Sequence, residues 1–196
     1  MRFLHELAET HENLFYQGEF DLLTHARSEF EYLITIPELT RGYLLTKNMY
    51  YEILSRVVPR KLGYVRRVEG ASPDAVNALF SRGYAVLYAT VAAACTGAGL
   101  DLNKGSLHEK SGACVYDIME AALVPMVDRP VIKTAASGLL DDCSMSSSRC
   151  ILSEDAVSFF SKELAASIDR KAIDENVLAY AKAVEDGVCV SYHYPA

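Results

Sequence analysis

A histidine followed at nine and twelve residues by two acids, His108, Asp117 and Glu120, is the pattern in this chain best suited to chemistry. The stretch reads His108-Glu109-Lys110-Ser111-Gly112-Ala113-Cys114-Val115-Tyr116-Asp117-Ile118-Met119-Glu120, with Pro125, Val127 and Asp128 beyond it. A helix through Asp117 and Glu120 sets both acids on one face, their Cβ atoms about 5–6 Å apart. Their neighbours Val115, Ile118, Met119 and Leu123 are apolar, so the two carboxylates repel unless something positive stands between them. One remedy is a divalent cation: Mg²⁺ and Mn²⁺ prefer carboxylate oxygens, and an added imidazole shifts the preference toward Mn²⁺. The other is that the acids face solvent and pair with Lys110 or Arg129, and spacing alone leaves both readings open. The remaining histidines, His5, His11, His25 and His193, stand in no such pattern and read as surface or packing residues.

The elements that must position these residues read as helices throughout, an all-α fold. Apolar residues recur at helical spacing, as in Phe30, Leu33, Ile34 and then Leu44, Leu45, Met49, while strand-like alternation is nearly absent. The pattern predicts helices near 2–15, 19–35, 38–57, 73–98, 111–124, 153–168 and 172–186. The clearest start is Ser72-Pro73-Asp74, where Ser72 can cap and Pro73 suits a first turn. The helix it opens is apolar over much of its circumference and ends at Gly97 and Gly99, which predicts the central core helix. Residues 125–152 hold Pro125, Pro130, Gly138 and the run Ser144-Met145-Ser146-Ser147-Ser148, and predict an irregular connection.

Composition bounds the rest. With 196 residues, 51% of them hydrophobic, one domain spanning 1–196 can bury its own core. The start of the chain lacks the layout of a signal peptide and no apolar run reaches membrane-spanning length, so a cytoplasmic protein without membrane contact is expected. The five cysteines, Cys95, Cys114, Cys143, Cys150 and Cys189, lack paired spacing and read as free thiols or small core residues. A net charge of −7 argues against coating nucleic acid by bulk electrostatics. Any DNA contact then needs a local patch. Between Glu52 and Glu69 the ionised residues are Arg56, Arg60, Lys61, Arg66 and Arg67, five cations without an acid, readable as that patch or as a solvated connector.

Residues 72–129 resemble the signature region of the Cas-one integrases of CRISPR adaptation. The blocks that carry the resemblance are Asp74-Ala75-Val76-Asn77-Ala78-Leu79-Phe80-Ser81-Arg82-Gly83-Tyr84-Ala85-Val86-Leu87-Tyr88, Ala98-Gly99-Leu100-Asp101, Gly105-Ser106-Leu107-His108, Val115-Tyr116-Asp117-Ile118-Met119-Glu120 and Val127-Asp128. The resemblance implies a compact helical catalytic domain that joins short DNA spacers to a CRISPR array, a DNA 3′-hydroxyl attacking a target phosphodiester. It implies a Mg²⁺ or Mn²⁺ ion held by an earlier glutamate, the loop histidine and the later acid. By position the last two are His108 and Glu120, with Asp117 as a supporting or participating acid. Family spacing favours Glu38 as the first ligand, in Ile36-Pro37-Glu38-Leu39-Thr40-Arg41-Gly42, and Glu69 is its rival. Arg56, Arg60, Lys61, Arg66 and Arg67 would grip the DNA backbone.

The implied partners are double-stranded DNA, further copies of the chain in a dimer or tetramer, and a Cas-two protein that some minimal systems dispense with. Nothing here reads as the family's β-rich N-terminal domain. Two other roles use the same fold: a casposase-like transposase, and a non-catalytic helical DNA-binding or scaffold subunit.

Overall fold

Asp74, not Ser72, starts the longest helix: its carboxylate accepts a hydrogen bond from the Asn77 amide at 2.8 Å. Ser72 instead lies in a bridge to Arg149. The computed structural model describes residues 2–11, 13–33, 35–70, 72–146 and 149–194. Among these the helices are α1 (Arg2–Thr10), α2 (Gln17–Glu29), α3 (Ile36–Ser55), α4 (Ala75–Gly97), α5 (Ala113–Met119), α6 (Arg129–Ala136), α7 (Glu154–Ser167) and α8 (Arg170–Asp186). One antiparallel hairpin, β1 (Ser144–Ser146) with β2 (Arg149–Ile151), is the sheet structure among the described residues. The all-α expectation holds, and the predicted helices fall close to the observed ones.

Helix α4 runs through the middle and buries Val76, Leu79, Phe80, Leu87, Val91 and Cys95. It packs against α5, α6, α8 and the hairpin. By length and composition it could cross a membrane, yet these residues form the protein's own core. Gly83 lets the chain pack tightly here, since a Cβ at this position would meet Val127 Cγ1 at 2.5 Å and Phe160 at 3.2 Å. Leu44 and Leu45, although at helical spacing, lie on the exposed side of α3.

The largest departure lies in 125–152, expected to be irregular. Residues 124–136 are helical: a wide π turn, Val124–Asp128, runs straight into α6. Pro125 and Pro130 each sit in the first turn of a segment where the helix type changes, to π at Val124 and back to α at Arg129, and the helical run continues through both. The π turn carries the buried Asp128. Of the serine-rich run, Ser144–Ser146 form β1, and Ser147 and Ser148 lie outside the described residues, as does Ile34.

Buried Asn77 fastens the segment before α4 to that helix. Its side-chain amide donates to the Arg66 carbonyl at 3.1 Å, and its oxygen accepts from the Val68 amide at 2.8 Å. Helix α8 is capped by Asp169, which accepts from the Ala172 amide at 2.9 Å. Asn176 in α8 pairs with the His193 backbone, holding the C-terminal residues against the body.

Candidate functional site

Asp117 organises the loop that carries His108. The carboxylate is 2% exposed and accepts hydrogen bonds from the backbone amides of Leu107 and His108, each at 3.1 Å, and from that of Ser106. Its Oδ1 also accepts from His108 Nδ1 at 2.7 Å, and Tyr180 in α8 donates to Oδ2 at 3.3 Å. These bonds fix the imidazole and leave Nε2 as the ring nitrogen available to a ligand. Gly105 makes the wrap possible, because a Cβ there would come within 2.8 Å of Asp117 Oδ2 and 2.9 Å of the Ala113 backbone.

Glu120 follows α5 by one residue and turns toward α3. Tyr43 donates its hydroxyl to Glu120 Oε2, and Lys47 Nζ lies 3.2 Å from both carboxylate oxygens. Tyr43 and Lys47 are one helical turn apart and reach the same acid. Burial and the Glu120 charge hold the Tyr43 hydroxyl far above the usual phenol range, so it stays a proton donor. The positive group beside Glu120 is therefore Lys47. The sequence candidates for that part are used elsewhere: Arg129 pairs with Glu6 at 2.6 Å, and Lys110 rests on the Tyr116 ring at 4.0 Å.

His108, Asp117 and Glu120 line one cavity of about 250 Å³ together with Tyr43, Thr40, Leu39, Leu107 and Phe30. On the other side of Glu120 a cavity of about 370 Å³ includes Lys47, Arg67, Lys110 and Glu69 in its walls. The structure thus brings His108 and Glu120 together, as the sequence expected, with Asp117 supporting the histidine.

Neither earlier glutamate joins them in that first cavity. Glu38 sits in the first turn of α3, where its carboxylate accepts from the Thr35 amide at 3.1 Å and the Thr35 hydroxyl at 2.8 Å. Nine residues separate Glu38 from Lys47, about half a turn in angle on an ideal helix, and the α3 residues in the cavity wall are Leu39, Thr40 and Tyr43. Glu69 reaches Glu120 only through Lys47, whose ammonium is 3.9 Å from its carboxylate. Among the described residues no three His, Cys, Asp or Glu side chains converge in a way suited to a metal ion. With Asp117 committed to backbone amides and the imidazole, two donors remain, His108 Nε2 and Glu120. This arrangement does not fit a divalent ion held by three protein ligands.

The basic segment is divided. Arg56 is bound by Glu19 at 2.5 and 2.7 Å, and Lys61 pairs with Asp141. Arg67 turns inward, to Asn77 at 3.1 Å and over the Tyr84 ring at 5.4 Å. Arg60 and Arg66 are exposed, and neither forms an ion pair among the described residues.

Asp128 is fully buried, accepting from Tyr84 at 2.8 Å and Tyr50 at 2.9 Å, and burial raises its carboxyl to about 7. The remaining histidines stand apart from the cavities: His5 stacks on Phe20, His25 pairs with Glu29, and His11 bonds Thr10. All five cysteines are free.

Sequence reasoning missed Tyr43 and Lys47. Their signal was a tyrosine and a lysine four apart in a helix otherwise short of ionised residues after Arg41.

The structure superposes on a casposase bound to integration product with a TM-score of 0.82, at 18% identity, over 96% of this chain and 58% of that one. It superposes on a CAS1 protein from Thermotoga maritima with a TM-score of 0.76, at 21% identity, over 90% of this chain and 60% of that one. At these identities the likeness speaks for the fold alone. In sequence, a putative CRISPR-associated endonuclease Cas1 of Methanospirillum hungatei is 34% identical over 167 residues, 82% of this chain and 55% of the relative. A CRISPR-associated endonuclease Cas1 of Thermus thermophilus is 37% identical over 95 residues, 47% of this chain and 30% of the relative. The chain therefore spans about half or less of the length of these curated relatives. The model of the family described as CRISPR associated protein Cas1 matches residues 1–166, a span that holds α1 through α6, the 105–108 loop and Glu120, and the chain belongs to that family.

Proposed function

We propose that this chain is the helical DNA-joining domain of a CRISPR adaptation integrase, acting on a DNA 3′ end placed in the cavity between His108 and Glu120. The observation that carries this reading is the His108–Asp117 pair: an imidazole fixed on one nitrogen by a buried carboxylate and available on the other. In transesterification the 3′-oxygen bonds to phosphorus, its proton passes to an acceptor, and the departing oxygen takes one up. His108 Nε2 is the acceptor in this proposal, because Asp117 stabilises the imidazolium that forms. Arg67 and Lys110, across Glu120, meet phosphate charge. Exposed Arg60 and Arg66 hold the flanking backbone.

Mg²⁺ and Mn²⁺, the ions that the resemblance implied, enter this proposal only as additions to the assay, since Lys47 already contacts both oxygens of Glu120. The domain is proposed to work on double-stranded DNA as a dimer or tetramer, since joining at two points needs two sites. A Cas2-type partner is part of this proposal, since a chain of a Cas6-RT-Cas1–Cas2 complex has a similar fold, with a TM-score of 0.80 at 19% identity over 91% of this chain and 22% of that one.

A second reading, a DNA-holding subunit that transfers no strand, is favoured by the grip of Tyr43 and Lys47 on Glu120. Strand transfer of a labelled duplex into a repeat-containing plasmid, with Mg²⁺ and Mn²⁺ compared, separates the two. The first reading expects product from the unmodified protein and a loss of about a hundredfold or more in His108→Ala. DNA binding without product under either ion would establish the second.

A further inference from the structure

We propose that Lys47 is a resident cation at Glu120, taking the charge-balancing place that a divalent ion would otherwise fill and keeping Mg²⁺ and Mn²⁺ out of the site. The proposal rests on the reading of Glu120 as part of the DNA-joining site. It deepens that reading by stating which charge the site already carries.

Three features of the geometry support it. Lys47 Nζ contacts both Glu120 oxygens at 3.2 Å, and Tyr43 adds a hydroxyl to one of them, so the inner face of the carboxylate is fully engaged. The pair is largely sheltered, with side chains 15% and 20% exposed, so water screens it weakly. Lys47 also reaches Glu69 at 3.9 Å, so one ammonium spans the two acids nearest each other at this end of the site. A divalent ion binds carboxylate oxygen at roughly 2.0–2.6 Å, a position from which the ammonium would be repelled. It would have to displace Lys47 and break the Tyr43 bond as well.

The local charge count points the same way. The cavity beside Glu120 holds three cations, Lys47, Arg67 and Lys110, against two acids, Glu69 and Glu120. On that side of Glu120 the surplus suits an incoming phosphate; on the His108 side, lined by Asp117 and Glu120, it is the Lys47 ammonium itself that opposes a second cation. Lys47 is a positioning residue here: it sets the charge and direction of Glu120.

Mn²⁺ titration followed by electron paramagnetic resonance, without DNA, tests this on the unmodified protein, Lys47→Gln, Lys47→Arg and Lys47→Gln/Glu120→Gln. Lys47→Gln is expected to bind Mn²⁺ about tenfold or more tightly than the unmodified protein. Adding Glu120→Gln should abolish that gain, and Lys47→Arg, which keeps the charge, should bind as weakly as the unmodified protein. Equal affinity in the unmodified protein and Lys47→Gln would overturn the proposal, as would tight binding by Lys47→Arg. The same holds if Mn²⁺ binding fails in every variant while thermal melts show them folded. Because no DNA is present, absence of strand transfer counts against the proposed function alone.

Discussion

At the scale of single residues, the site depends on how Asp117 holds His108, and Gly105 is the point where that hold is easiest to break. A methyl group at Gly105 would press on Asp117 Oδ2 and the Ala113 backbone, both of them fixed. Gly105→Ala is therefore expected to cost about 1–3 kcal/mol in stability and to shift the His108 ring resonances in NMR spectra. An unchanged melting curve and spectrum would show that the loop has room. Asp128 gives a second prediction. Its carboxyl, raised by burial from 3.8 to about 7, keeps a proton that the unfolded chain releases between roughly pH 4 and 7. Stability should fall as pH rises through that window, by up to roughly 1.4 kcal/mol per pH unit, and Asp128→Asn should flatten the slope in denaturant titrations. The His108, Asp117 and Glu120 grouping was legible because one short stretch of chain holds all three. For Lys47 and Tyr43 the four-residue spacing gives only a shared helix face; the acid they meet, Glu120, is 73 and 77 residues away. Glu38 carries two readings that look alike in sequence, a ligand and a cap, and Thr35 three residues before it marks the cap that the structure shows.

At the scale of elements, periodicity and caps set most of the helices, and the miss in 125–152 came from reading prolines as breaks. Pro125 and Pro130 fall where the run changes from one helix type to another, and the wide π turn between them lets the helix carry on. How the elements are tied together is carried by buried polar residues that composition does not flag. Asn77 is the clearest: Asn77→Ala would remove a fully buried side chain and leave the part-buried Val68 amide and Arg66 carbonyl without their partner. The expected loss is about 2–3 kcal/mol, with faster hydrogen exchange at Val68. Exchange at Val68 unchanged from the unmodified protein would show that the segment is held by other contacts. Since Arg66 and Arg67 lie on that segment, the same substitution should also weaken DNA binding.

At the scale of the whole molecule, pairing with distant acids thins the one basic run of an acidic chain. The five-residue basic run that the sequence presented as a patch is reduced by pairing: Glu19 and Asp141, distant in sequence, bind Arg56 and Lys61. With about two to four phosphate contacts left, the logarithm of DNA affinity should fall against the logarithm of salt with a slope of roughly −2 to −4. A slope near −8 would mean that cations outside this surface, or further copies of the chain, do the binding. On the proposed function, the DNA end enters the cavity between His108 and Glu120. A duplex carrying a photoreactive group on its 3′-terminal nucleotide, cross-linked and mapped by peptide mass, tests it most directly. Adducts are predicted on the 105–108 loop and on Tyr43 of α3, whether or not strands are then joined. Cross-links confined to the surface around Arg60 and Arg66, with none in that cavity, would contradict it.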